Sequence, residues 1–383
     1  DQTITGLPGL SGIQILSLTG ASTLDLGAGV PFGLQSILGG DGDSSYVLER
    51  PGLVSIFGGS GNNTLSLSRG GQVLQDFSGI SGIGVLSLTG ANSVNLGDSI
   101  FSAGISTVIG GDGNSRYIES AVGSFTFAGG SGSDTLALDK PDQLVSDDDF
   151  SGISGIEVLS LSGGNSVQLG DAASASGLLS VIGGAGDSSF TLAELGAITV
   201  IGGDGSNTLS VTTPGQSVSG PVPFSGIDVL SLAGGDTVDL TTVPFGLSSL
   251  FGGDEGSAFT VSRLRTLQIY GGKGADTLAV SQGNQIFQDY SGISGIEVLS
   301  LSGSNQVAFD SLAQACGITS VIGGSGLLVT NQLTEDSDAL YIDASAGAGG
   351  LFEFASALYA GQSTILGGNG LDSLLLDRGD SIG

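Results

Sequence analysis

Residues 179–192 read Leu-Ser-Val-Ile-Gly-Gly-Ala-Gly-Asp-Ser-Ser-Phe-Thr-Leu. A short alternating segment leads into a glycine turn, and a second alternating segment leaves it. Alternation with a period of two gives each segment one apolar and one polar face, as a half-buried β-strand requires. The same arrangement returns further along the chain around Gly202-Gly203. Two short strands joined by a glycine turn are therefore the predicted building block of the chain.

The glycine turns recur on two length scales. Within the first unit, the second step between turns runs from Gly39 to Gly58, and this step has the same length in each of the next three units. The first step of each unit is nearly equal to it. The step to the next unit is longer, as from Gly58 to Gly90, so the third turn of each unit carries an extension. A single coil cannot bury its apolar face, whereas a stack of coils can. The periodicity predicts an all-β protein, a parallel β-roll or β-solenoid of about fifteen short turns.

The predicted solenoid is one continuous array over residues 1–383. Its five units of about 70 residues span residues 8–76, 77–149, 150–223, 224–289 and 290–383, and the last unit holds an inserted extra turn. An aromatic residue recurs once per unit in the extension, and we expect these rings to stack beneath it. They are Phe77, Phe150, Phe224 and Tyr290.

Composition excludes several kinds of site. The 383 residues include 71 glycines and one cysteine but no histidine, methionine or tryptophan, and the formal net charge is −29. Without histidine there is no His-based catalytic triad and no imidazole metal ligand. The single Cys316 cannot form an internal disulfide and is expected inside the protein. The acidic balance argues against nucleic acid, and no apolar run approaches the ~20 residues of a membrane span. No catalytic constellation stands out, so the protein is not expected to be an enzyme.

The third glycine turn of some units matches a known calcium-binding repeat. Gly129-Gly-Ser-Gly-Ser-Asp134-Thr-Leu fits the nonapeptide pattern G-G-x-G-x-D-x-U-x, as do the turns containing Asp276 and Asp372. On these residues the chain resembles the repeats-in-toxin family of secreted bacterial β-roll proteins, whose repeats are of the hemolysin type. Its Ser-Gly-Ile-Glu-Val-Leu-Ser-Leu phrase is similar to spacer segments of giant bacterial and cyanobacterial surface proteins. The resemblance implies Ca²⁺ held by backbone carbonyls and the sixth-position aspartate, and a secreted or cell-surface location.

Two interpretations of the turn residues stay open. In the first, calcium binds in the turns; the candidate ligands are Asp134, Asp276, Asp372, Asp112, Asp41 and Asp204. In the second, the glycines make left-handed turns whose Asp, Asn and Ser side chains satisfy the turn backbone. The net charge of −29 fits either solubility or a demand for cations. The acidic run 147–149 is expected to be a solvated loop.

Repetition without catalytic chemistry favours a structural role. The sequence predicts a secreted or cell-surface repeat protein that contributes to an extracellular filament, surface layer or adhesin stalk. Because both ends interrupt the repeat pattern, we expect end-to-end self-association or a longer array of the same repeat, with surface glycans as a further partner class. The alternative is a calcium-binding secretion or adhesion module of the repeats-in-toxin type, which folds on binding calcium outside the cell.

Overall fold

The computed structural model describes residues 2–7, 9–123, 125–219, 221–242, 246–264, 267–331, 340–354 and 363–376. The predicted parallel β-solenoid is confirmed, with about 17 turns, close to the fifteen expected. Two compact units can be separated: Asp1–Phe190 with Ala197–Gly205 is unit 1, and Thr191–Gly196 with Ser206–Gly383 is unit 2. Continuity of one solenoid over the whole chain stays a prediction.

The strands are short and are numbered in chain order. The first group is β1 Gln2–Thr5, β2 Ile15–Ser17, β3 Ser22–Leu26, β4 Ser36–Leu38, β5 Ser45–Leu48, β6 Ser55–Phe57, β7 Thr64–Leu67, β8 Gln72–Leu74, β9 Ile80–Ser81, β10 Val85–Leu88, β11 Asn92–Asn95, β12 Thr107–Ile109, β13 Arg116–Glu119, β14 Thr126–Ala128 and β15 Thr135–Leu138. The second is β16 Leu144–Val145, β17 Ile153–Ser154, β18 Val158–Ser160, β19 Ser166–Leu169, β20 Ser180–Ile182, β21 Ser189–Leu192, β22 Thr199–Ile201, β23 Thr208–Val211, β24 Ser217–Val218, β25 Phe224–Ser225, β26 Val229–Ser231, β27 Thr237–Leu240 and β28 Ser249–Gly253. The third is β29 Ala258–Val261, β30 Gln268–Gly272, β31 Thr277–Val280, β32 Ile286–Phe287, β33 Ile293–Ser294, β34 Val298–Leu301, β35 Gln306–Phe309, β36 Ser320–Ile322, β37 Leu328–Asn331, β38 Tyr341–Asp343, β39 Leu351–Phe354, β40 Thr364–Leu366 and β41 Ser373–Leu376.

Helix is confined to a few single turns. The α-helices are α1 Asp98–Ala103, α2 Asp171–Ala175 and α3 Ser311–Ala315, and a 3₁₀ turn covers Asp147–Phe150. Each α-helix follows the strand that leaves the first glycine turn of its repeat unit. Within the described residues, no helix has the length and apolar character needed to cross a membrane.

In unit 1, parallel pairing places the inward-facing residues of neighbouring strands side by side. One eight-stranded sheet has the order β1-β3-β5-β7-β10-β12-β14-β17. In its inward column, Leu24 lies beside Tyr46 and Tyr46 beside Leu65, and all three side chains are fully buried. The intervening residues of β3, β5 and β7 point outward and are more exposed. The alternation in the sequence therefore encodes the inward and outward faces, as predicted.

The extension changes which strands of a coil belong to a given sheet. In unit 1, strands β3, β5 and β7 follow glycine turns, whereas β12 and β14 of the same sheet precede glycine turns. Strand β10 joins the two sets, because it pairs with β7 on one side and β12 on the other. Unit 2 repeats the pattern in the sheet β24-β27-β29-β31-β34-β36-β38-β40, where β34 joins β31 to β36. After the extension, the strands that precede the glycine turns therefore continue the sheet that, before it, is formed by the strands that follow the glycine turns.

The glycine turns bring neighbouring coils too close for side chains. A Cβ atom placed on Gly110 would overlap both the carbonyl oxygen of Gly129 and the hydroxyl of Tyr117. Such contacts exclude any side chain there, because both the next backbone and a buried ring occupy the space. The high glycine content therefore reflects close approach between coils as well as turn conformation.

The recurring aromatic residues are buried but do not stack on one another. Their exposed fractions are 1% for Phe77, 2% for Phe150, 4% for Phe224 and 2% for Tyr290. None of the ring contacts found between described residues involves them. They recur only once per repeat unit, so several coils separate successive rings. Cys316 is buried as expected, and its thiol lies 3.5 Å from the carbonyl oxygen of Tyr290.

Candidate functional site

The glycine turns carry buried polar side chains at the third position of the first turn and the sixth position of the second and third turns of a repeat unit, and we call these side chains the turn ladder. Its members are Ser22, Ser44, Asn63, Asn92, Ser115, Asp134, Asn165, Ser188, Asn207, Asp236, Ser257, Asp276 and Asn305, and none is more than 5% exposed. Buried polar groups need hydrogen-bond partners, because water is excluded. The hydrogen bonds of the ladder therefore show whether the protein itself satisfies the polar groups of these turns or whether they need a cation.

Within the first repeat, the second and third rungs each accept the backbone N–H of the rung before them. In the first repeat, Ser22 N–H donates to Ser44 Oγ at 3.2 Å, and Ser44 N–H donates to Asn63 Oδ1 at 2.9 Å. The Asn63 amide then donates to the carbonyl oxygen of Gly82 at 2.9 Å. These bonds run from coil to coil, so the side chains satisfy backbone groups of their neighbours. The geometry is that of the second interpretation of the turn residues.

In the second repeat an aspartate takes the place of Asn63. Ser115 N–H donates to Asp134 Oδ1 at 2.7 Å, and Asp134 N–H donates to Glu157 Oε2 at 2.7 Å. The same arrangement occurs in unit 2: Ser257 N–H donates to Asp276 Oδ1, and Asp276 N–H donates to Glu297 Oε2, both at 2.7 Å. The aspartates are thus built into the ladder through one oxygen.

The second carboxylate oxygen has no donor to accept from. The Oδ2 atoms of Asp134 and Asp276 are both buried, and neither has a hydrogen-bond partner. A Cβ placed on Gly58 would lie 3.0 Å from Asn63 Nδ2, and one on Gly129 would lie 3.1 Å from Asp134 Oδ2. The two atoms therefore occupy the same place in their turns. Where asparagine has a donor, aspartate presents an acceptor.

The electrostatics of these aspartates follow from burial. Desolvation raises the pKa of Asp134, and the negative charge of Glu157 raises it further, although hydrogen bonds from Ser115 work in the opposite direction. Desolvation likewise raises the pKa of Asp276, and Glu297 adds to the effect. A buried carboxylate next to a second carboxylate is costly to ionise. These turns therefore favour a neutral or a cation-balanced carboxyl group.

The other candidate calcium ligands are exposed and lie outside the turn ladder. Asp41 and Asp112 are exposed and accept hydrogen bonds from the hydroxyls of Ser60 and Ser131, each at 2.9 Å. Asp204 is exposed, and its backbone N–H donates to the carbonyl oxygen of Gly184.

Asp372 is also exposed. Its two carboxylate oxygens accept hydrogen bonds from the backbone N–H groups of Gly350 and Gly368. Asp372 therefore accepts hydrogen bonds from backbone groups, whereas Asp41 and Asp112 accept them from the hydroxyl groups of a neighbouring turn.

The described side chains offer few oxygens for a metal ion. Among the residues that the structure describes, no three Asp, Glu or Cys side chains lie close enough together to hold a metal. Calcium takes six to eight oxygen ligands. The unpartnered oxygens of Asp134 and Asp276 fit a cation ligand, but among the described residues each turn contributes one buried unpartnered carboxylate oxygen. Calcium at these turns stays a prediction.

Three acidic residues that accept hydrogen bonds from the turn ladder are not predicted from the sequence. Glu157 and Glu297 accept from the backbone of Asp134 and Asp276, and Asp228 accepts from Asn207 N–H at 2.8 Å. All three follow a Ser-Gly-Ile segment in the extension. The recurrence of an acid at this place in the phrase is the signal that could have identified them.

One further acid is buried where other coils have leucine. Glu119 is 1% exposed, and both of its carboxylate oxygens lack hydrogen-bond partners. It pairs in register with Leu138, and burial raises its pKa to about 8. The segment Ser45-Tyr-Val-Leu48 shows the usual pattern, with an apolar residue at the fourth place. Glu119 therefore interrupts an apolar column.

Comparison with known proteins adds no assignment for this ladder. The chain has no significant match among models of protein families, among curated proteins or among solved structures.

Proposed function

We propose that this chain is a structural repeat protein whose coils stack end to end into an extracellular array, such as a filament, a surface layer or an adhesin stalk. The β-solenoid fold supports the proposal because each coil pairs in the same way on both sides. Another coil can therefore add wherever a sheet ends. The observation that carries the proposal is the exposure of inward-facing side chains in the outermost strands.

The last described strand of the five-stranded sheet in unit 2 leaves the end of an apolar column exposed. Val307, Val329, Phe352 and Leu374 lie side by side in this column, one from each of four successive strands. The first three are at most 2% exposed, whereas Leu374 is 53% exposed. Strand β41 is the outermost strand of this sheet among the described residues. A further coil would bury Leu374 as the other members of the column are buried.

The first strands of unit 1 show the same feature. Ile4 of β1 pairs with Leu24, and Leu16 of β2 pairs with Ile37. The inner members of both pairs are fully buried, whereas the outer members are only half-buried. Burying an apolar side chain is worth about 1.5–3 kcal/mol. A coil from a second copy would therefore gain free energy at this edge.

Replacing Leu374→Lys tests the proposal. The wild-type chain is expected to form concentration-dependent end-to-end oligomers in size-exclusion chromatography with light scattering and in electron micrographs. The lysine would place an unpaired charge in the covered column, so we expect association to weaken at least about tenfold.

Leu375→Lys is the matched control. Leu375 is 56% exposed, lies next to Leu374 in β41, and points to the opposite side of the strand. This variant should associate like the wild type. A wild-type chain that stays monomeric at every concentration, or equal loss in both variants, contradicts end-to-end stacking.

A further inference from the structure

A groove on unit 1 combines two arginines with an apolar strand. It has a volume of about 530 Å³ and is lined by Arg50, Arg69 and strand β8, among other residues. Within β8, Leu74 is buried, and Val73 is 68% exposed. The lining thus offers guanidinium groups together with an exposed aliphatic side chain.

The two arginines occupy equivalent places in neighbouring coils. Leu48 pairs with Leu67 in parallel register, and Ser68 N–H donates to the carbonyl oxygen of Leu48 at 2.9 Å. Arg50 and Arg69 follow these two leucines at the same spacing. In the described part of the chain, no other two basic residues match in this way. Like charges at such neighbouring places repel unless an anion lies between them.

The positive charge of the groove is only partly balanced. Arg69 Nη1 lies 2.7 Å from Glu49 Oε1 in an exposed ion pair. Arg50 forms no ion pair with any described residue. One carboxylate against two guanidinium groups leaves the groove positive, on a chain whose net charge is −29. This local excess of positive charge runs against the character of the whole molecule.

A glutamine holds the backbone beneath the arginines. Gln72 Nε2 donates to the carbonyl oxygen of Glu49 at 2.7 Å and to that of Arg69 at 2.6 Å. Its own N–H donates to Asn92 Oδ1 at 3.2 Å. One amide therefore joins the two coils at the points where the arginine side chains leave them. Holding this backbone in place before binding reduces the entropy cost of binding.

We propose that this groove binds an oxyanion, a carboxylate or sulfate group carried by an extended ligand such as an acidic saccharide. Guanidinium groups recognise these anions through paired N–H donors. The volume of about 530 Å³ exceeds that of one small anion, so the ligand continues past Val73. The site does not depend on the end-to-end association proposed above.

Isothermal titration calorimetry on the whole chain in low-salt buffer tests this site. Trigalacturonate serves as the carboxylated probe, maltotriose as the neutral probe and sodium sulfate as the inorganic anion. We expect trigalacturonate to bind and maltotriose not to bind. Arg50→Ala and Arg69→Ala should each weaken trigalacturonate binding at least about fivefold. Glu49→Gln should strengthen it severalfold, because the competing carboxylate is removed. Sulfate binding with the same dependence on both arginines supports the site and assigns it to free oxyanions as well.

Arg116→Ala is the matched control, because Arg116 is also exposed, lies in unit 1 and carries the same charge. It should bind like the wild type. Equal weakening by Arg116→Ala, unchanged binding by the double variant Arg50→Ala/Arg69→Ala, or binding by neither trigalacturonate nor sulfate overturns the proposal. The three arginines lie at the surface, so circular dichroism should show the same fold in every variant.

Discussion

Replacing Glu119→Leu should stabilise the protein by about 2 kcal/mol or more, an unusually large gain for a single substitution. Glu119 is 1% exposed, and its two carboxylate oxygens have no hydrogen-bond partners. Its register neighbour Leu138 is buried, as is Leu48 at the equivalent place of an earlier coil. Leucine removes the unsatisfied polar group and restores the apolar column.

The gain should depend on pH in a defined direction. Burial raises the pKa of Glu119 from 4.5 to about 8 in the folded chain. Between these values the folded chain holds a proton that the unfolded chain has lost. The stability contributed by Glu119 is therefore fully present below about pH 4.5 and falls by about 1.4 kcal/mol per pH unit until pH rises through about 8. Glu119→Leu should remove this slope.

Thermal unfolding between pH 4 and pH 9 measures both effects. Glu119→Gln separates them, because it removes the ionisation but keeps a buried polar group. Glu194→Leu is the control for loss of one negative charge, since Glu194 is exposed. If Glu119→Leu melts no higher than the wild type at pH 8, or keeps the wild-type pH slope, the buried position of Glu119 is wrong.

Exchanging amide and carboxyl groups within the turn ladder should move stability in opposite directions. Asn63→Asp replaces the amide nitrogen that donates to the Gly82 carbonyl oxygen, so two acceptors would face each other. We expect a loss of about 2 kcal/mol. Asp134→Asn supplies a donor where Oδ2 has no partner, and should gain about 1 kcal/mol.

Both variants are compared with the wild type by thermal unfolding in chelator, so that bound calcium does not contribute. Asn62→Asp is the matched control, because it makes the same chemical change at an exposed neighbouring residue. Its effect should be within about 0.5 kcal/mol. A loss of stability in Asp134→Asn would show that Asp134 Oδ2 is already satisfied in the folded chain.

The repeat of the sequence was sufficient to predict the coil but not the path of the sheets. Two strands around Gly183 and Gly202 define the inward and outward faces, because alternation has the same period in every coil. The change of sheet between successive repeat units depends on how the strands in and after the extension pair. Strand β9 pairs with β6, and β10 pairs with β7. Such pairing between distant segments leaves no local pattern in the sequence.

The turn residues were predicted by position, but their partners were not. Asp134 was singled out from its nonapeptide, whereas the role of Glu157 depends on a hydrogen bond between neighbouring coils. The acidic run expected to be a solvated loop likewise contains a partnered side chain. Asp147 accepts from the N–H groups of Gly170, Ala172 and Ala173. Burial acts against its charge, yet these bonds keep the pKa of Asp147 below its usual value.

The most direct test concerns whether the turn ladder closes the coils by itself. Circular dichroism and thermal unfolding of the whole chain are recorded in chelator and again with added calcium. Rungs such as Ser44 and Asn63 satisfy backbone groups without a metal ion, so we predict a β-sheet spectrum and cooperative unfolding in chelator. A chain that is unfolded in chelator and gains β-structure only when calcium is added would contradict this account.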